Sequence, residues 1–132
     1  MIKFLNKYKI IFYLINFCII FLYLFPGSLY GCIFLGDCSI QPQITPDLPL
    51  ISSNHFYIFF VLSTMGYLTY IKKSHINYLI IYLLSVAAIL EILHLVIPDR
   101  SFEWSDLFGN LLAVFIVFFI YNFINKYEVF KK

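Results

Sequence analysis

The chain has 132 residues, of which 62% are hydrophobic and 21% aromatic; only 12% are charged, and the formal net charge is +2. A water-soluble domain carries roughly 25% charged and 45–50% apolar residues, so this composition points to lipid as the solvent and excludes intrinsic disorder. Three cysteines are too few for a disulfide scaffold, continuous apolar runs do not suit a β-barrel, and so small a charge suggests no nucleic-acid partner.

Crossing about 30 Å of hydrocarbon as a helix takes roughly 20 apolar residues. Four runs qualify, at about 10–25, 56–71, 78–97 and 107–124; Pro26-Gly27 ends the first and Pro98 the third. The first run follows Lys3, Lys7 and Lys9 and could be a secretory signal, with Leu29-Tyr30-Gly31-Cys32 resembling a lipobox. Its length and Tyr30, where a small residue is usual, favour a helix that stays. The stretch at 36–54 holds Pro42, Pro46 and Pro49 and reads as an irregular loop. Cys32 and Cys38 near its start are either a disulfide pair or two ordinary small residues, and both readings stand open.

Lys3, Lys7, Lys9, Lys72, Lys73, Lys126, Lys131 and Lys132 all fall on one side of the four runs, and Arg100 alone falls on the other. By the positive-inside rule both termini are cytoplasmic and the loops near 26–55 and 98–106 lie outside. Tyr8, Tyr13, Tyr30, Tyr57, Tyr70, Tyr78, Trp104, Tyr121 and Tyr127 sit near run ends, as interfacial anchors do. The expected architecture is all-α: a single-domain integral membrane four-helix bundle of the bacterial inner membrane.

Ionisable residues inside such runs cost roughly 2.5–3.5 kcal/mol each and call for a partner or a purpose. Glu91 lies seven residues before Pro98, and His94 follows on the same face at i+3, with Ser85, Ala87 and Ala88 near it. Asp106 and Asn110 are i and i+4 at the start of the fourth run, beside the small pair Gly109 and Ala113. His55 opens the second run on a face with Phe59, Leu62, Ser63 and Gly66. His55, Glu91, His94, Arg100, Asp106 and Asn110 thus form a candidate outward-facing ligand pocket. Each also has a plainer role: Asp106 as a helix cap, Asn110 as interhelical glue, Arg100 paired to Glu103 or Asp106.

The series Glu91-x-x-His94-x-x-x-Pro98-x-Arg100, then Asp106-x-x-x-Asn110, resembles the VanZ-like family of small bacterial membrane proteins over about residues 50–125. That family's pattern has Gln where His94 stands, Gly where Asp99 stands, and later glycines where Ala113 and Val117 stand. Its Asp-Lys pair before the His is replaced by Ile51 and Ser52. The resemblance implies a membrane protein linked to resistance to the glycopeptide teicoplanin, and it is closer to a fold assignment than to a reaction.

The leading expectation is a pocket for an envelope lipid carrier or glycopeptide, with Arg100 holding phosphate or carboxylate and with no catalytic residue, metal or cofactor assigned. Two alternatives are a structural or partner subunit, and an intramembrane enzyme using His55 or His94 with Glu91 or Asp106 around a zinc ion.

Overall fold

All five prolines lie outside the long apolar runs, so nothing interrupts the i to i−4 ladder within them and each run becomes a helix. The computed structural model describes residues 2–70 and 73–129, without the side chains of 2–7, 73–74 and 128–129. Its regular structure is helical: α1 (Ile2–Leu24), α2 (Ser53–Thr69), α3 (Lys73–Leu93) and α4 (Trp104–Val129), with a π-helical turn at Gly31–Leu35 that the sequence does not announce. Lys72, Lys131 and Lys132 of the charge pattern lie outside the described residues.

The helices extend beyond the apolar runs because Lys, Asn and Tyr at their flanks are compatible with helix. At its far end α3 stops at Leu93, short of the expected 97. Pro98 disfavours helix at the residue before it, and the N–H groups of His94, Leu95 and Val96 bond three residues back at 3.1, 3.1 and 3.0 Å in tightened turns.

Small residues set how the helices meet. A Cβ on Gly109 would lie 2.7 Å from the Ser52 carbonyl oxygen and 3.2 Å from the Phe56 nitrogen, so the backbone of α4 touches the start of α2. Below this crossing Phe59, Leu62, Ala113 and Val114 are buried together, with Phe12, Ile19 and Tyr23 of α1 and Leu79, Leu83, Ala87 and Leu90 of α3 completing the core. Ala87 is buried but Ser85 is exposed, contrary to expectation. Six positions from Glu91 is about 120° around a helix, which turns Ser85 off the packed face.

The outer faces are apolar as well, with Leu14, Phe17, Ile81, Ile92, Phe119 and Phe123 exposed. His75–Leu93 and Trp104–Tyr127 are long and apolar enough to cross a membrane, and only 33% and 28% of their apolar windows are buried. The core helix of a soluble protein would be mostly buried. Of the expected anchors Tyr13, Tyr30, Tyr57, Tyr78, Trp104 and Tyr127 are exposed.

The segments linking α1 to α2 and α3 to α4 cover one end of the helices. Cys32 and Cys38 form a disulfide there, so the Cys32 sulfur is not the free thiol that lipobox processing needs. Gly27 has φ +66°, and a Cβ on it would meet the Cys38 carbonyl oxygen. Ser39 donates to the Asp37 carboxylate from Oγ and from N, which holds that carboxyl below its usual range. Further along, Asp47 accepts from Ser53 N at 2.7 Å, capping α2, and Asn54 bonds both Pro42 O and Ile44 N. The stretch expected to be irregular is thus tied to the first turn of α2 by side chains.

Candidate functional site

Five polar side chains from four helices meet beneath this cover. His55 is in the first turn of α2, Glu91 in the last turn of α3, Asp106 in the first turn of α4 with Asn110 one turn on, and Tyr23 in the last turn of α1. His94 joins them from the turn after α3. Glu91 and Asn110 are fully buried, and His94, Tyr23 and His55 nearly so.

Their contacts run in a connected network. His55 places Nε2 3.2 Å from Asp106 Oδ2 and Nδ1 3.7 Å from Glu91 Oε2. Tyr23 Oη lies 3.1 Å from His55 Nδ1 and donates to Asn110 Oδ1 at 2.9 Å. Glu91 Oε1 accepts from the Glu103 backbone N–H at 3.0 Å and lies 3.4 Å from His94 Nδ1. The His94 ring stacks on that of Tyr23, with centroids 5.6 Å apart, and its Nε2–H donates to the Tyr23 carbonyl at 3.2 Å. A carbonyl only accepts, so Nε2 carries a ring proton, and the Nδ1 contact with Glu91 is an ion pair only when the ring holds a second one.

Arg100 stands apart from this network. Its Nε donates to Phe25 O at 3.3 Å and its Nη2 to Leu22 O at 3.1 Å, so it caps the end of α1. Among the described residues it makes no ion pair with Glu103 or Asp106, the plainer role the sequence allows it. The last carbonyls of a helix lack intrahelical donors and carry partial negative charge, which is what draws the guanidinium there. Burial lowers its pKa from the usual value, with the Tyr23, Asp106 and Glu91 charges acting the other way. Asp106 likewise makes no cap bond among the described residues; its carboxylate faces His55.

Above the network lies a cavity of about 520 Å³, lined by Gln41, Gln43, Ser52, Asn54, His55 and His94 among others. Asp47, Asp99, Glu103 and Asp106 also line it, against the single guanidinium of Arg100, so its walls are acidic on balance. A second cavity of about 180 Å³ shares Gln41, Asn54, His55, His94 and Arg100 with it and adds the apolar Leu22, Leu29, Tyr30 and Ile58. Polar and apolar volumes are therefore contiguous.

Of the six residues expected to converge, His55, Glu91, His94, Asp106 and Asn110 share one network, and Arg100 reaches the cavity without joining it. Tyr23 is the functional candidate that sequence reasoning missed. Its signal was a phenol inside an apolar run, where a buried hydroxyl must find a partner. The cavity walls from residues 39–47 gave no signal beyond their polarity. The chain matches no protein-family model, no curated protein and no solved structure.

Proposed function

We propose that this chain is a multi-pass four-helix protein of the bacterial inner membrane, both termini cytoplasmic, whose outward cavity receives the polar head of an envelope amphiphile. A lipid carrier or a glycopeptide is the class of ligand, in keeping with the VanZ-like resemblance and its link to teicoplanin. The observation that carries this reading is the continuity of the acidic polar cavity with the apolar crevice between α1 and α2. A head group enters the first while an acyl or prenyl chain follows the second toward lipid. Lysines at the opposite end of the helices support the orientation.

Arg100 keeps N–H groups beyond those given to α1 and lines both cavities, so it is the residue to contact an anionic head group. Native mass spectrometry of gently solubilised protein tests this. The expected result is a lipid or glycopeptide adduct lost in Arg100→Ala with helix content unchanged; an adduct kept in that variant overturns the role.

A second reading, a structural or partner subunit, is favoured by the way the network joins all four helices. It expects Glu91→Gln and Asp106→Asn to leave the phenotype intact while Glu91→Leu disrupts assembly, whereas the binding reading expects both conservative changes to weaken adduct formation.

A further inference from the structure

Counting hydrogens through the buried network leaves three acceptors turned toward one another. Tyr23 has a single hydroxyl hydrogen, donated to Asn110 Oδ1. Its contact with His55 Nδ1 therefore takes its hydrogen from the ring. A neutral His55 then presents the Nε2 lone pair, and that nitrogen lies 3.2 Å from Asp106 Oδ2. Glu91 Oε2 is the third acceptor: it is buried, lacks a hydrogen-bond partner among the described residues, and lies 3.7 Å from Nδ1 of the same imidazole. The other Glu91 oxygen is already engaged by the Glu103 N–H and His94. An imidazole lone pair and two carboxylates at this range repel unless a proton or a metal cation lies among them.

We propose that His55 Nε2, Asp106 and Glu91 bind a divalent transition-metal ion of the zinc class beneath the cavity. One ligand atom from each residue lies within 4.8 Å of the others. Ligands about 2.0–2.2 Å from zinc stand about 3.3–3.6 Å apart at tetrahedral angles, so the His55–Asp106 pair at 3.2 Å is already spaced for it, and the Glu91 carboxylate must close in on the ion from a set spread over 4.8 Å. One imidazole with two carboxylates suits zinc better than magnesium or calcium, which take oxygen ligands.

The outer hydrogen bonds are also those a metal-binding histidine uses: Nδ1–H to Tyr23, and Tyr23 to Asn110, which set the ring and its tautomer. Three protein ligands leave a fourth position. His55 and Asp106 both line the cavity, so that position faces it. The metal deepens the binding reading given above, on which its purpose rests, because it supplies the cation that lets an acidic cavity accept a phosphate or carboxylate oxygen.

Zn²⁺ alone is the probe, titrated into chelator-stripped protein in detergent, purified without a histidine tag. The expected result is one zinc per chain by elemental analysis after gel filtration. Affinity should fall at least about tenfold in Glu91→Gln and Asp106→Asn and further in His55→Gln, with the exposed Ser85→Ala unchanged. Substoichiometric zinc in the parent protein, or equal affinity in all three ligand variants, overturns the site and leaves a proton on His55 in the metal's place.

Co²⁺ in the unaltered protein gives a readout independent of variant folding: the visible bands of a tetrahedral or five-coordinate ion are expected, and the spectrum of free aqueous Co²⁺ overturns it. Zinc bound without any amphiphile adduct defeats the binding reading alone. An adduct without zinc defeats the metal alone.

Discussion

Asp99 has a left-handed backbone, φ 57°, in the turn between Pro98 and Arg100. A left-handed conformation costs an L-residue about 1–2 kcal/mol, less for Asp, while glycine adds about 0.4–1 kcal/mol of unfolded-chain freedom. Asp99→Gly is therefore expected to stabilise by no more than about 1 kcal/mol, and thermal denaturation in detergent should show a small rise in midpoint. A fall would mean that the Asp99 side chain holds the turn. Glu91 gives the opposite expectation. Its Oε1 accepts from the part-buried Glu103 N–H, so Glu91→Leu leaves that donor without its acceptor, at about 1–3 kcal/mol. Glu91→Gln retains an acceptor oxygen for the N–H and should lose less by the same measurement.

Helix α4 is held in register with α2 by the absence of a side chain at Gly109. Since an added Cβ would stand 2.7 Å from a backbone oxygen, Gly109→Ala must separate the helices, and a cost of about 1–3 kcal/mol is expected. The exposed Ser85→Ala is the matched control and should leave the melting midpoint unchanged. Between α1 and α2 the disulfide closes a short loop whose continuation, Ser39 and Gln41, forms part of the cavity wall. The chain-entropy estimate for a loop of this size is about 2 kcal/mol, so Cys32→Ser with Cys38→Ser should lower stability by about that amount and loosen the cavity cover. Hydrogen exchange at residues 39–47 should quicken in the double variant while the helices stay protected.

For the whole molecule, the decisive feature is an apolar outside. Burying more of α3 and α4 would require partner chains, or the lipid of the membrane proposed above. The proposed orientation can be tested with single cysteines in a Cys18→Ser background, using an impermeant maleimide on right-side-out vesicles. Gln43→Cys, on the cavity side, is expected to label, and Lys126→Cys to label only after permeabilisation. The reverse pattern would turn the cavity to the cytoplasm and remove an envelope ligand from consideration.

Apolar run length, proline placement and the one-sided lysines are local properties, so the existence and order of four helices were legible in the residues alone. So was the membership of the network for His55, Glu91, His94, Asp106 and Asn110, because each is a polar group that an apolar helix cannot leave unpartnered. Tyr23 was not legible: its partners lie 32 and 87 positions away, and only the packing of α1 on α2, and of α2 on α4, brings them within hydrogen-bond range. Nor was the task of Arg100, whose nearest acceptors are carbonyls at the end of a helix far back in the chain. Composition and periodicity decide that helices form and which stripe they bury. Which stripes face each other, and hence where hydrogens and charges meet, is decided by non-local contacts such as Gly109 against Ser52, and those exist only in the tertiary structure.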